Sequence, residues 1–133
     1  MSTYLLDTHT LIWAITEPNK LSNSVRKLLE EPEQHIVVSA ITFWEISLKY
    51  ALGKLLLENV IPENFPKLCQ QMDMEILPLN TTVCATYHQL GVFYHKDPFD
   101  RMLIWLAKCE NFTILSKNEY IKRYESEGIS VIW

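Results

Sequence analysis

Short apolar runs alternate along the chain with longer segments in which apolar residues recur every three or four positions. Tyr4-Leu5-Leu6-Asp7 reads as a short buried strand ending in an acid, because a brief continuous apolar run leaves no polar face for solvent. His35-Ile36-Val37-Val38-Ser39 is β-branched and equally brief, and predicts a second strand. Glu75 to Leu79, Phe112 to Leu115 and Ile129 to Ile132 predict a third, fourth and fifth. Between them the spacing turns helical. One helix runs through Leu11-Ile12-Trp13-Ala14 and is broken at Glu17-Pro18-Asn19. Ser22 caps a second, through Val25, Leu28 and Leu29. A third covers about Thr42 to Leu52 and is stopped by Gly53. Others run from Glu63 to Met72, from an Asn80 cap through Val83, Tyr87 and Leu90, and from Tyr120 to Tyr124. Lys96-Asp97-Pro98-Phe99-Asp100 opens a helix reaching about Cys109, since a proline in the first turn lacks only an N–H that would have no partner there.

Strands alternating with helices imply an α/β fold. The expected form is a three-layer α/β/α sandwich around a mostly parallel sheet of about five short strands. The 133 residues contain no repeat, low-complexity tract or Gly/Ser linker, so residues 1–133 are expected to form a single domain. In such sheets, ligands bind beyond the carboxyl ends of the strands.

Composition narrows the function classes. Hydrophobic content of 48% and charged content of 21% are ordinary for a globular protein and argue against long disorder. The formal net charge of -4 excludes a basic field that would gather nucleic acid nonspecifically. Positive charge for such a substrate must be local or come from metal. Cys69, Cys84 and Cys109 are odd in number and lack ligand spacing, which fits reduced thiols in a cytoplasmic protein. Asp7 and His9 interrupt the first apolar run, and no apolar run approaches a membrane-spanning length, so neither a signal peptide nor a membrane span is expected.

The acids are the chemically informative residues. Asp7 ends the first strand, Glu45 follows the second, and Asp97 and Asp100 open a helix expected at the same sheet edge. Asp97 and Asp100 are spaced to share a helix face that continues through Ile104 and Ala107. Glu45 has Ile41, Leu48 and Leu52 as its helical neighbours, which predicts an inward side chain. Each acid also has a local explanation. Asp7 can cap a helix, Glu45 can pair with Lys49, Asp97 can be an N-cap and Asp100 can favour a helix dipole. Gathered at one edge, they repel one another unless protonated or bridged by a cation. All-oxygen donors suit Mg²⁺, with Mn²⁺ as an alternative, and the four histidines show no zinc spacing. His9 and His95 stand near the acids as candidate supporting groups. Trp13, Trp44 and Trp105 fall among apolar residues and are expected in the core, with a subunit or partner contact as the alternative for Trp105.

These residues resemble a known family. Tyr4 to Trp13 looks like the opening of a PIN domain, and Ser39-Ala40-Ile41-Thr42-Phe43-Trp44-Glu45-Ile46 is similar to the family's glutamate-bearing helix. His95-Lys96-Asp97-Pro98-Phe99-Asp100-Arg101 resembles the H-x-D-P-F-D-R signature of its VapC-like branch, the toxins of bacterial and archaeal toxin–antitoxin pairs. The resemblance spans essentially the whole chain and implies a Mg²⁺-dependent endoribonuclease, a small cognate antitoxin and a homodimer. Carried over by position, it makes Asp7, Glu45 and Asp100 the core acids and Asp97 a close companion. Asp100 fits the usual metal-ligand aspartate better than Asp97. The family's further Asp after the fourth strand is replaced by Asn118 in Ser116-Lys117-Asn118, which offers an oxygen ligand without charge.

The expected chemistry is hydrolysis of RNA phosphodiesters by metal-activated water. Asp7 and Asp100 would hold the metal, and Glu45 and Asp97 would complete its shell or position the water. Thr8 and Arg101 are candidate phosphate contacts, against first-turn capping and a solvated charge. Asn118 favours an alternative, a PIN-like module that binds RNA or protein with little or no nuclease activity. A haloacid-dehalogenase-type phosphatase would need a second Asp where this chain has His9, and a phospho-acceptor receiver would need paired N-terminal acids.

Overall fold

The computed structural model describes residues 2–133. Five strands form one sheet in the order β3-β2-β1-β4-β5, and all four pairings are parallel. They are β1 (Thr3–Leu6), β2 (His35–Ser39), β3 (Glu75–Leu77), β4 (Thr113–Leu115) and β5 (Ser130–Ile132). The helices are α1 (Thr8–Thr16), α2 (Asn23–Glu30), α3 (Ala40–Ala51), α4 (Phe65–Gln71), α5 (Thr81–Thr86), α6 (Pro98–Glu110) and α7 (Glu119–Arg123). Ser22, Asn80, Asp97 and Asn118 cap α2, α5, α6 and α7 by accepting backbone N–H bonds, which meets the helices' free N-terminal donors. The expected third strand is shorter than read, because Pro78 has no N–H to continue a ladder.

Successive strand residues point to opposite faces, and the core divides accordingly. Leu5, Val37 and Ile114 pack with Val83, Leu103, Ile104 and Ile121 from α5, α6 and α7. Leu6, Val38 and Leu115 pack with Leu11, Val25, Ile46 and Phe65 from α1 to α4. These two clusters are the two outer interfaces of a three-layer α/β/α sandwich. No helix among the described residues is long and apolar enough to cross a membrane.

The strand order places the chemistry. From β1 the chain winds outward through β2 to β3, then returns past β1 to β4 and β5. The winding direction therefore reverses between β1 and β4, where a doubly wound sheet opens a crevice at its carboxyl edge. Asp7 and Ser116 follow directly from those two strands. α6 runs back along the sheet to enter β4, so its first turn, with Asp97 and Asp100, lies at the same edge.

Candidate active site

Asp7 is buried and is the N-cap of α1: its Oδ1 accepts the Thr10 N–H at 2.8 Å. Its Oδ2 accepts the Ser116 hydroxyl at 2.5 Å. Burial raises its pKa above the ordinary carboxylate range, opposed by the Ser116 and Thr10 hydrogen bonds. The capping explanation holds for Oδ1, and Oδ2 is tied to Ser116 at the end of the neighbouring strand.

Glu45 is only 2% exposed. The Thr8 hydroxyl donates to its Oε1 at 2.5 Å, and the Lys49 ammonium forms an ion pair with its Oε2. Its inward placement has a different basis from the one expected. Leu48 and Leu52 are exposed, and the buried side of α3 is instead Ile41, Thr42, Glu45 and Ile46. Burial pulls the Lys49 pKa down, but Glu45, Asp97 and Asp100 more than offset this, and it stands above its ordinary value.

Asp97 and Asp100 do not share a helix face as equals. Asp97 lies outside the helix as the α6 N-cap, its Oδ1 accepting the N–H groups of Phe99 and Asp100 at 2.9 and 3.1 Å. Asp100 is in the first turn, and its Oδ2 lies 3.3 Å from both His95 Nε2 and Asn118 Nδ2. Burial, followed by the negative charges of Asp97, Glu45 and Asp7, pushes the Asp100 carboxyl up to about 7, with Lys49 opposing. The charges of the other three acids thus all act on Asp100. Among the described residues, no three His, Cys, Asp or Glu side chains close around a single point from which they jointly hold a metal ion. The acids are turned toward Thr8, Lys49, Ser116 and Asn118 instead.

Four sequence expectations change. Arg101 is not a phosphate contact: it is 1% exposed, its guanidinium donates to Tyr87 Oη, Val92 O and Tyr124 Oη, and it lies 3.6 Å from the Phe93 ring centre. Those neutral oxygens and aromatic faces replace its hydration. Asn118 does not offer its oxygen to the acids, because Oδ1 caps α7 through the Tyr120 and Ile121 N–H groups and the amide nitrogen faces Asp100. Thr8 is buried with its hydroxyl committed to Glu45, so it braces an acid rather than presenting a free donor. Trp44 also departs from the expected core position, being 59% exposed with its ring edge-on to Phe99, whereas Trp105 is buried and donates to Thr86 Oγ1.

Sequence reasoning did not single out Ser116, although it follows β4 as Asp7 follows β1. Nor did it place Lys49 inside the site, having weighed it only as a surface partner of Glu45. His95 does support the acids. Its ring stacks on Tyr120, its Nδ1 lies 3.2 Å from the Tyr124 hydroxyl, and its Nε2 faces Asp100. Burial lowers its pKa, with Asp97 opposing. His9 is exposed beside Trp13, at the mouth of the crevice.

Comparison with known proteins agrees with this architecture. The chain is 22% identical over 133 residues to Ribonuclease VapC22 of Mycobacterium tuberculosis, with both chains covered completely. Its fold is similar to a chain in the crystal structure of DNA-bound VapBC from Salmonella typhimurium, with a TM-score of 0.69, 21% identity and 99% and 98% of the two chains covered. A chain of VapBC2 from Rickettsia felis, bound to a promoter DNA fragment, gives a TM-score of 0.66 at 22% identity, with 98% and 97% covered. The PIN domain family model matches residues 4–127, nearly the whole chain with all four acids inside it, and the chain belongs to the PIN domain family.

Proposed function

We propose that this protein is a divalent-metal-dependent endoribonuclease and the toxin of a toxin–antitoxin pair. One observation supports the catalytic part most strongly. Asp97, Glu45 and Asp7 each raise the proton affinity of Asp100, a repulsion that a bound cation relieves. The donor set fits a hard ion, being carboxylate oxygens without a cysteine or a histidine pair, which favours Mg²⁺ or Mn²⁺ over zinc. Asp7 and Asp100 would hold it, with Glu45 and Asp97 completing the set. Such an ion lowers the pKa of a bound water and polarises a phosphate oxygen.

The chain's own residues prepare that site. Ser116 and Thr10 hold Asp7 at the strand end, and Thr8 and Lys49 hold Glu45. His95 meets Oδ2 of Asp100, itself steadied by Tyr120 and Tyr124. These donors compete with a cation for the carboxylates, so metal affinity depends on them as well as on the acids. RNA as substrate is supported by similarity to a protein named as a ribonuclease, and a protein partner by similarity to VapBC assemblies. Exposed Trp44, Leu48 and Leu52 along α3 support a protein interface there, for an antitoxin or for a second copy in a homodimer.

Asn118 favours a second reading, a module that binds without cleaving, because it removes a carboxylate from the set. Calorimetric titration with Mn²⁺ separates the two. The nuclease is expected to bind the ion and to cleave single-stranded RNA until EDTA is added. Absence of both metal binding and cleavage would leave the binding module.

A further inference from the structure

With Arg101 buried, the phosphate contact must come from elsewhere, and the structure offers a cleft beside the acids. It has a volume of about 280 Å³ and lies between the first turns of α1 and the end of α3, lined by Thr8, His9, Glu45, Lys49, Lys54 and Leu55 among others. Its only carboxylate is Glu45, already paired with Lys49. Beyond that ion pair the lining keeps the Lys54 ammonium and the His9 imidazole, in a protein of net charge -4.

The chain places Lys54 there by a defined turn. Gly53 has φ +70°, a left-handed conformation that costs glycine little. The Gly53 N–H donates to Tyr50 O at 3.1 Å and the Lys54 N–H to Lys49 O at 2.8 Å, the paired bonds of a Schellman helix end. The turn brings Lys54 back beside Lys49 instead of carrying it off along the helix axis. His9 also lines an adjoining cleft with Asp7, Lys117 and Asn118, so the two clefts meet at His9, with Glu45 in one and Asp7 in the other. Each cleft thus sets at least one lysine beside its acid.

We propose that this cleft is a subsite for a phosphate of single-stranded RNA next to the one cleaved, contacted by Lys54 and Lys49 with His9 as a further donor. The subsite rests on the ribonuclease reading given above. Phosphate contacts position a strand without reading its sequence, and each releases counterions.

The test is steady-state cleavage of a fluorogenic single-stranded RNA by the full chain across a salt series, with wild type, Lys54→Gln and Lys27→Gln, the last an exposed residue of α2. Lys54→Gln is expected to raise KM about fivefold with kcat within about twofold, and to lower the slope of log KM against log salt by about 0.7, the loss of one phosphate contact. Lys27→Gln is expected to match wild type. An active wild type with an unchanged KM and salt slope in Lys54→Gln would overturn the subsite alone. A wild type that cleaves no RNA would overturn the ribonuclease reading and the subsite with it. A poly-glutamate peptide that inhibits wild type competitively but not Lys54→Gln, with RNA KM equal in both, would assign the cleft to an acidic protein segment and overturn the proposal.

Discussion

The Ser116 hydroxyl donates a 2.5 Å hydrogen bond to Oδ2 of Asp7, joining the ends of two adjacent parallel strands across 109 residues of sequence. Ser116 also accepts the Asn118 N–H at 3.0 Å, so one hydroxyl ties the crevice to the turn that starts α7. Ser116→Ala leaves a buried carboxylate oxygen without its donor. It is expected to destabilise the protein by about 1–3 kcal/mol in chemical denaturation and to raise the Asp7 pKa further. Stability equal to wild type would mean that water replaces the hydroxyl.

The Asp100 carboxyl, pushed up to about 7 by burial and then by its acidic neighbours, makes stability depend on pH. Its pKa is higher folded than unfolded, where it is about 4. Its contribution is therefore full below about pH 4 and is lost as pH rises through about 7. In EDTA, the melting temperature is expected to fall between about pH 5 and 8, and Asp100→Asn is expected to flatten that fall. An equally steep fall in Asp100→Asn would place the titration elsewhere.

Arg101 serves the fold. Arg101→Ala removes the donor to Tyr87, Val92 and Tyr124, and the last of these also holds His95. A loss of roughly 3 kcal/mol or more is expected, and Arg101→Lys is expected to recover little of it, because an ammonium cannot reproduce the guanidinium fork. A surface phosphate contact would behave oppositely, with normal stability and altered salt dependence of binding.

Asn118→Asp tests the missing carboxylate. Aspartate caps a helix about as well as asparagine, so α7 is expected to survive. The change removes the amide donor to Asp100 and adds negative charge to the cluster. Lower metal-free stability at neutral pH and a larger stabilisation by Mn²⁺ are expected in thermal melts. An unchanged Mn²⁺ response would show that position 118 lies outside the metal's reach.

The two central strands and their terminal acid were legible because parallel strands buried on both faces must be continuously apolar, as Leu5-Leu6 and Ile36-Val37-Val38 are. The start of α6 was equally legible, since Asp97-Pro98 states a cap and a first turn. The α3 stripe was misread because Leu48 and Leu52 carry core periodicity while facing solvent. Spacing reports which residues share a face, not what covers it. Arg101 was misread for the converse reason. The aromatic rings that bury it come from Tyr87, Phe93 and Tyr124, brought together only by the fold. Asn118 had the right position, but backbone donors of α7 decide which way its amide points.

The proposed nuclease needs Asp7 in its catalytic machinery as well as at the α1 N-cap. Asparagine keeps the cap and removes the charge, so Asp7→Asn separates the two roles. Cleavage of a labelled single-stranded RNA in Mg²⁺, by wild type and by Asp7→Asn shown to be folded by circular dichroism, is the most direct test. Wild type is expected to cut and Asp7→Asn to be inactive. Wild-type rates of cleavage by Asp7→Asn would contradict the account.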